Sequence, residues 1–286
     1  MSTTKGGLVI LKEMLPSLPP SEKKIALYIL ENPEESIHLT ALTLGERSRT
    51  SSAAVIRLCK SLGLKGFQEL KIRVAGDLRE EPIEEYRDIE PNENVRDIIS
   101  KVTANTVQTL NETADMVSVE QLERAVEVLS KAKSVTFFGF GASYIAAMDA
   151  KQKFMRIDRN VHSFSDVHMA ATSIANKGPE DVVIGISFSG NTPEAVKLME
   201  LARCKEVVTI GITKYGKSQM AAYSDILLYT SAAKEATFRT GATSSRIAQL
   251  HMIDLLLMCL SSSDYQQTID HLDVTREAIA FLHDKQ

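Results

Sequence analysis

The sequence predicts an α/β chain in two parts, an all-α domain over residues 1–79 and a doubly wound α/β domain with a parallel sheet over residues 95–286. Three observations predict it. Short β-prone runs recur at 134–138, 161–164, 182–187, 206–212 and 226–230. Helical stretches separate them, and such alternation implies a parallel sheet covered on both faces. Up to residue 79 the apolar residues recur at helical spacing instead. Between the two parts, residues 80–94 are acidic and carry Pro82 and Pro91, the composition of a linker.

The elements follow in order. Pro19-Pro20-Ser21 reads as a stop followed by a helix cap, and Ile25, Tyr28 and Ile29 give that helix its apolar stripe. Asn32-Pro33 ends it. Thr40 caps a short helix through Arg47, a polar break covers 48–52, and a second helix runs from about Ser52 to Ser61. Gly66-Phe67 leads into a third, with Leu70, Ile72 and Val74. Residues 95–131 read as two helices broken near Met116–Ser118, packed on the second domain or contributing to dimerisation. The first helix inside the α/β part carries Ala147, Ala150, Phe154 and Ile157 on one stripe. The last long helix, about 244–260, is apolar nearly all round, so it is deeply buried or covered by another subunit.

The chain has 286 residues and is 44% hydrophobic, enough for about two domains with buried cores. Its net charge of −4 gives no global sign of nucleic acid, but charge is unevenly placed. Residues 40–79 hold eight basic and three acidic residues, whereas 80–93 hold seven acidic and one basic. The three cysteines, Cys59, Cys204 and Cys259, have no metal-ligand spacing and an odd count, which fits a reducing, cytoplasmic setting. No metal or cofactor is expected. The N-terminus lacks a signal-peptide pattern, and the longest apolar stretch, Leu255 to Leu260, is too short to span a bilayer.

Leu39 to Phe67 contains two short helices around a polar turn. The second would present Ser51, Ser52, Ala53, Arg57 and Lys60 to a major groove, where arginine reads guanine and lysine meets phosphate. Arg47, Arg49, Lys65 and Lys71 would add backbone contacts. A small helical domain with solvated charges fits the same pattern, and the local basic excess favours DNA.

Two further segments carry chemistry. SVTFFGFGAS, Ser134 to Ser143, and VVIGISFSGNTPE, Val182 to Glu194, each end a strand in a glycine–hydroxyl loop that opens a helix. Helix N-termini with nearby hydroxyls hold anions, and ligands of such sheets lie beyond the strands' carboxyl ends. Gly141 and Gly190 let backbone approach closely. Ser143 lies on the first loop; Ser187, Ser189 and Thr192 lie on the second. Ser187 and Ser189 alternate at a strand end and so would point the same way. Thr192 either touches the anion or, like Asn191, only caps the helix of Pro193 and Glu194.

These stretches carry a resemblance. RLCKSLGLKGFQELK, Arg57 to Lys71, resembles the N-terminal helix-turn-helix domain of RpiR-family bacterial regulators, with Leu58 and Leu64 replacing aromatics. GFGAS and SFSGNTPE are similar to the loops of a SIS, or sugar isomerase, domain. Together they cover nearly the whole chain, and they look most like MurR-type members. The resemblance implies operator DNA as one partner. It implies a phosphorylated amino sugar, N-acetylmuramic acid 6-phosphate, as effector, held by Gly141, Ser143, Ser187, Ser189, Gly190 and Thr192. Glu235 and Arg239 either meet the sugar or are ordinary surface charges. His168 reads as structural or as a donor behind the site rather than an acid–base group, Lys214 faces either ligand or solvent, and Arg246 either meets the ligand or supports Asp254 or a turn.

SIS domains also occur in isomerases and etherases, which need a placed acid or base. Glu194, Glu235 and His168 are the candidates, none in a recognisable enzyme motif. The attached helix-turn-helix favours a non-enzymatic sensor, a repressor acting as a dimer or tetramer on a palindromic operator.

Overall fold

The computed structural model describes residues 6–78, 89–90, 92–231 and 242–283. Two compact units divide it between Val117 and Ser118. Most of the 80–94 linker lies outside the described residues.

The first unit is helical: α1 (Gly7–Met14), α2 (Pro20–Glu31), α3 (Pro33–Ser36), α4 (Ala41–Arg47), α5 (Ser52–Ser61), α6 (Phe67–Asp77) and α7 (Val95–Met116). Its core holds Ile10, Leu11, Ile25, Ile29, Leu44, Leu58, Leu62 and Leu70. The Asp77 carboxylate on α6 accepts the Gly6 and Leu8 N–H groups, each at 2.7 Å, and so caps α1 from a distance. Thr40 and Ser51 cap α4 and α5 by accepting from Thr43 and Ala54 N–H. The expected Ser21 cap is corrected. Pro19 holds the cap position and Ser21 lies inside the helix, because a proline at the first helical position is already preset in φ.

By compactness α7 falls with this first unit. Thr109, Thr113 and Met116 are buried near its end. A Cβ at Gly6 would lie 3.0 Å from the Asp115 carbonyl oxygen, so the start of α1 packs directly on it.

The second unit runs α8 (Val119–Lys131), β1 (Ser134–Gly139), α9 (Ser143–Met155), β2 (Val161–Phe164), α10 (Val167–Ala175), β3 (Asp181–Ile186), α11 (Pro193–Cys204), β4 (Val208–Lys214), β5 (Ile226–Thr230), α12 (Thr243–Ser263) and α13 (Tyr265–Phe281). Its strands form one parallel sheet in the order β2-β1-β3-β4-β5. Helices α8, α9 and α12 pack together on one face and α10 and α11 on the other. Side chains on a strand alternate between faces. Accordingly Phe137 meets Phe154 of α9 edge-on at 5.4 Å, while Phe138 joins Ile174, Leu198 and Met199 on the opposite side. Every residue of β1 and β3 is buried.

Candidate functional site

The strand order creates the site. β1 leads through α9 to β2 on one side, and β3 leads through α11 to β4 on the other. The connections diverge between β1 and β3, a switch point where α/β sheets bind ligands. The final register pair there is Gly139↔Ile186, so the two glycine–hydroxyl loops leave adjacent strands side by side.

In the first loop Gly141 has φ 58°, a left-handed turn that glycine adopts without strain. It places Ser143 at the first residue of α9. Hydrogen bonds from Ser143, Tyr144 and Ile145 N–H run to the carbonyls three residues back, at 3.1–3.3 Å. These bonds engage the first N–H groups of α9, leaving the Ser143 hydroxyl as a donor at the start of the helix. Ser143 is buried, and its Oγ accepts a 3.0 Å hydrogen bond from Gln249 Nε2 of α12.

In the second loop β3 stops at Ile186, and Gly190 N–H closes a turn onto Ser187 O at 3.0 Å. Ser187 and Ser189 therefore lie beyond the strand and do not share a face, contrary to the expectation from alternation. Ser187 is buried and its Oγ lies 3.0 Å from Thr192 Oγ1. Ser189 is exposed, and its Oγ accepts the Asn191 N–H at 3.2 Å. Thr192 holds the cap position of α11 without a side-chain capping bond, its hydroxyl being turned to Ser187. Asn191 does not cap either: its Oδ1 accepts the Gln219 N–H at 2.8 Å. Lys214 closes β4 beside this loop. Its N–H donates to Phe188 O at 2.9 Å, and its ammonium stands 5.7 Å from the Phe188 ring centre. The result is two hydroxyl-bearing loops on adjacent strands with Lys214 beside the second, groups of the kind a phosphate dianion needs.

The first unit carries a different surface. Gly45 sits so close to the Ser51–Ser52 backbone that an added Cβ would lie 2.7 Å from Ser51 C, which lets α4 and α5 pack tightly. Arg49 takes φ 52° in the turn between them. One face of α5 buries Ala54, Val55, Leu58 and Cys59; the other exposes Ala53, Ile56, Arg57 and Lys60, with Ser52 at its edge. Arg49, Ser51 and Lys65 are also exposed. A groove of about 380 Å³ lies between the starts of α2 and α5, lined by Ser21, Lys24, Arg49, Ser51 and Arg57 among others. Its cations and two helix N-termini suit a phosphate. Arg47 instead pairs with Glu35, which also accepts the Tyr28 hydroxyl. Lys71 donates to Leu39 O at 3.1 Å and covers Phe67, so it braces the fold.

The comparisons agree with both halves. The family model described as SIS domain matches residues 128–259, and that described as helix-turn-helix domain, rpiR family, matches residues 5–81. An uncharacterized HTH-type transcriptional regulator of Bacillus subtilis (strain 168), YbbH, is 46% identical over 274 residues, 96% of this chain and 97% of that protein. The chain belongs to the RpiR family of transcriptional regulators. An uncharacterized HTH-type transcriptional regulator of Caldanaerobacter subterraneus is 39% identical over 96% of each chain. Among solved structures, the Vibrio vulnificus NanR protein complexed with ManNAc-6P has a TM-score of 0.62 and 27% identity, covering 96% of this chain and 99% of that one.

In this RpiR-family regulator the loop of Gly141 and Ser143 and the loop of Ser187, Ser189, Gly190 and Thr192 leave adjacent strands. Glu235 and Arg239 lie outside the described residues. His168 is exposed on α10, just past the carboxyl end of β2. Sequence reasoning missed Gln249, Lys24 and Ser21. A glutamine among the apolar residues of the 244–260 helix was the available signal for Gln249. Lys24 and Ser21 had none, since their groove forms only when α2 meets α5. Among the described residues no helix is long and apolar enough to cross a membrane.

Proposed function

We propose that this regulator is a cytoplasmic repressor whose operator affinity is set by a phosphorylated N-acetylhexosamine. The observation carrying the reading is the pairing of the two hydroxyl loops at the β1/β3 switch in a chain that also bears the basic α5 face. The phosphate sits among Ser143, Ser187, Ser189 and Thr192, with Lys214 near and Gly141 and Gly190 shaping the loops. N-acetylmuramic acid 6-phosphate, favoured by the MurR-type motifs, is the first effector to try. N-acetylmannosamine 6-phosphate is the second, because NanR was captured with it. The sugar controls catabolism of amino sugars or cell-wall sugars.

On the DNA side, Arg57, Lys60, Ser51 and Ser52 face the major groove, while Arg49, Lys65 and Lys24 meet phosphates. Arg47 contributes by holding α4 to Glu35. The protein acts as a homodimer or tetramer on a palindromic operator. Exposed Ile145, Met148 and Met155 on α9, together with Met258 on α12, supply an apolar face for that association. If effector and operator favour different states, each weakens the other by the same factor.

Calorimetry with N-acetylmuramic acid 6-phosphate, N-acetylmannosamine 6-phosphate, N-acetylglucosamine 6-phosphate and glucosamine 6-phosphate tests the reading, beside operator gel shifts with and without each sugar. Binding without product formation, with release of DNA, supports it. Steady turnover of any of the four would make the protein an isomerase or etherase instead. Binding that leaves operator affinity unchanged would refute the linkage.

A further inference from the structure

We propose that Gln249 is a positioning residue for the effector phosphate, acting through Ser143. The inference rests on the reading of Ser143 as a phosphate contact. Gln249 lies on α12 and is 1% exposed, among buried Ser245, Met252, Ile253 and Leu256. A carboxamide buried so deeply must be hydrogen-bonded. Its Nε2 reaches Ser143 Oγ, 106 residues away in sequence, at 3.0 Å.

The direction of that bond matters. A serine hydroxyl has one hydrogen to give and two lone pairs. Gln249 occupies a lone pair, so the hydroxyl keeps its hydrogen, and a phosphate dianion accepts only donors. The amide thus fixes both the orientation and the polarity of Ser143. The chain amide–hydroxyl–phosphate is polarised in one sense, which strengthens each link. Lys153 of α9 also pairs with Asp254 of α12 farther along, so the Gln249 bond is one of several links between the two helices.

The test is a double-mutant cycle by calorimetry, run with the tightest binder among the four sugar phosphates already named. Gln249→Met keeps the shape and removes the donor; it should weaken binding about five- to tenfold, the worth of one neutral hydrogen bond. Gln249→Glu also keeps the shape, but its carboxylate takes the Ser143 hydrogen and repels the phosphate, for a loss of roughly a hundredfold. In the Ser143→Ala background Gln249→Met should change affinity by less than about twofold, because the residue acts only through the missing hydroxyl. Thermal melting of each variant establishes that it is folded, and either folded variant decides the matter.

Equal losses in both backgrounds would overturn the proposal, as would Gln249→Glu binding like wild type. Failure of both variants to fold would assign Gln249 to the core and overturn it too. If Ser143→Ala alone binds normally, or wild type binds none of the four sugars, the effector-site reading fails first and takes this inference with it.

Discussion

Gly139→Ala is the sharpest way to disturb the effector loop without touching a hydroxyl. A Cβ at Gly139 would lie 2.6 Å from the Ser143 carbonyl oxygen and 2.7 Å from its carbonyl carbon. Ordinary contact begins at 3.4 Å, so main chain must give by about 0.8 Å. Both clashing atoms are backbone at the first turn of α9, so no rotamer change relieves them. Phe154 against Phe137 holds the rest of that helix in place. Overpacking of this kind costs about 1–3 kcal/mol. Falling wholly on the effector contact, it weakens binding roughly 5- to 150-fold. Gly178→Ala is the matched control, since a Cβ there meets nothing within 4 Å. Calorimetry and operator gel shifts should then give a protein that holds DNA normally but releases it only at much higher sugar concentration. If Gly139→Ala binds sugar as tightly as Gly178→Ala, with an unchanged melting temperature, the packing argument for Ser143 is wrong.

Three further outcomes are expected. Lys24→Ala should weaken operator binding evenly across sequences and reduce the salt slope by about one, while Arg57→Ala should also relax sequence preference, costing about 1–3 kcal/mol; anisotropy titrations at several salt concentrations separate the two. Asp181 is buried, which would raise its pKa, but bonds from the Ser134 hydroxyl at 2.6 Å and Gly178 N–H at 3.1 Å, with the Lys177 charge, outweigh burial and hold it below the ordinary value of 3.8. Its contribution is therefore present above that value and lost as pH falls through the lower folded one, so the melting-temperature gap between wild type and Asp181→Asn should be constant near neutrality and close below about pH 4. Burial pushes the Cys59 thiol up to about 11, whereas Cys204 is exposed. Maleimide at pH 7.5, read by peptide mass, should label Cys204 readily and Cys59 only after unfolding; rapid labelling of Cys59 in the folded protein would contradict its burial.

Much of the fold was legible because each element announces itself locally. The second helix of the DNA-binding pair was expected at Ser52–Ser61 and is found there, since Ser51 caps it and Leu62-Gly63 stop it. The strands agree to within about two residues, and β1 and β3 are apolar runs buried on both faces, which have little else to become. The errors fall where two local signals compete. Ser21 is a good cap by type, but Pro20 already presets the first turn. Alternation carried past Ile186 would put Ser187 and Ser189 on one face, yet the Gly190 turn follows the end of the strand. The helix at 95–116 shows the same limit at longer range: its own periodicity states that it is a helix, not which unit will hold its end.

The site divides along the same line. Its glycines and hydroxyls are legible because a loop that cradles an anion must be small, polar and at the start of a helix, all properties of neighbouring residues. What orients those hydroxyls is not local. Ser187 is set by Thr192 within one loop, but Ser143 is set by Gln249 from the far end of the chain. The helix carrying Gln249 reads as apolar nearly all round, and that reading contains the missed clue. A glutamine in such a helix must find a partner or destabilise the fold by about 1–3 kcal/mol. Its partner must lie on whichever element packs there. In a doubly wound sheet, a last helix covering β5 also reaches the helix after β1, whose first residue is the hydroxyl of the first loop. The buried glutamine of α12 and the polar start of α9 each require the other, which is why the pair is better read from buried-polar accounting than from any motif.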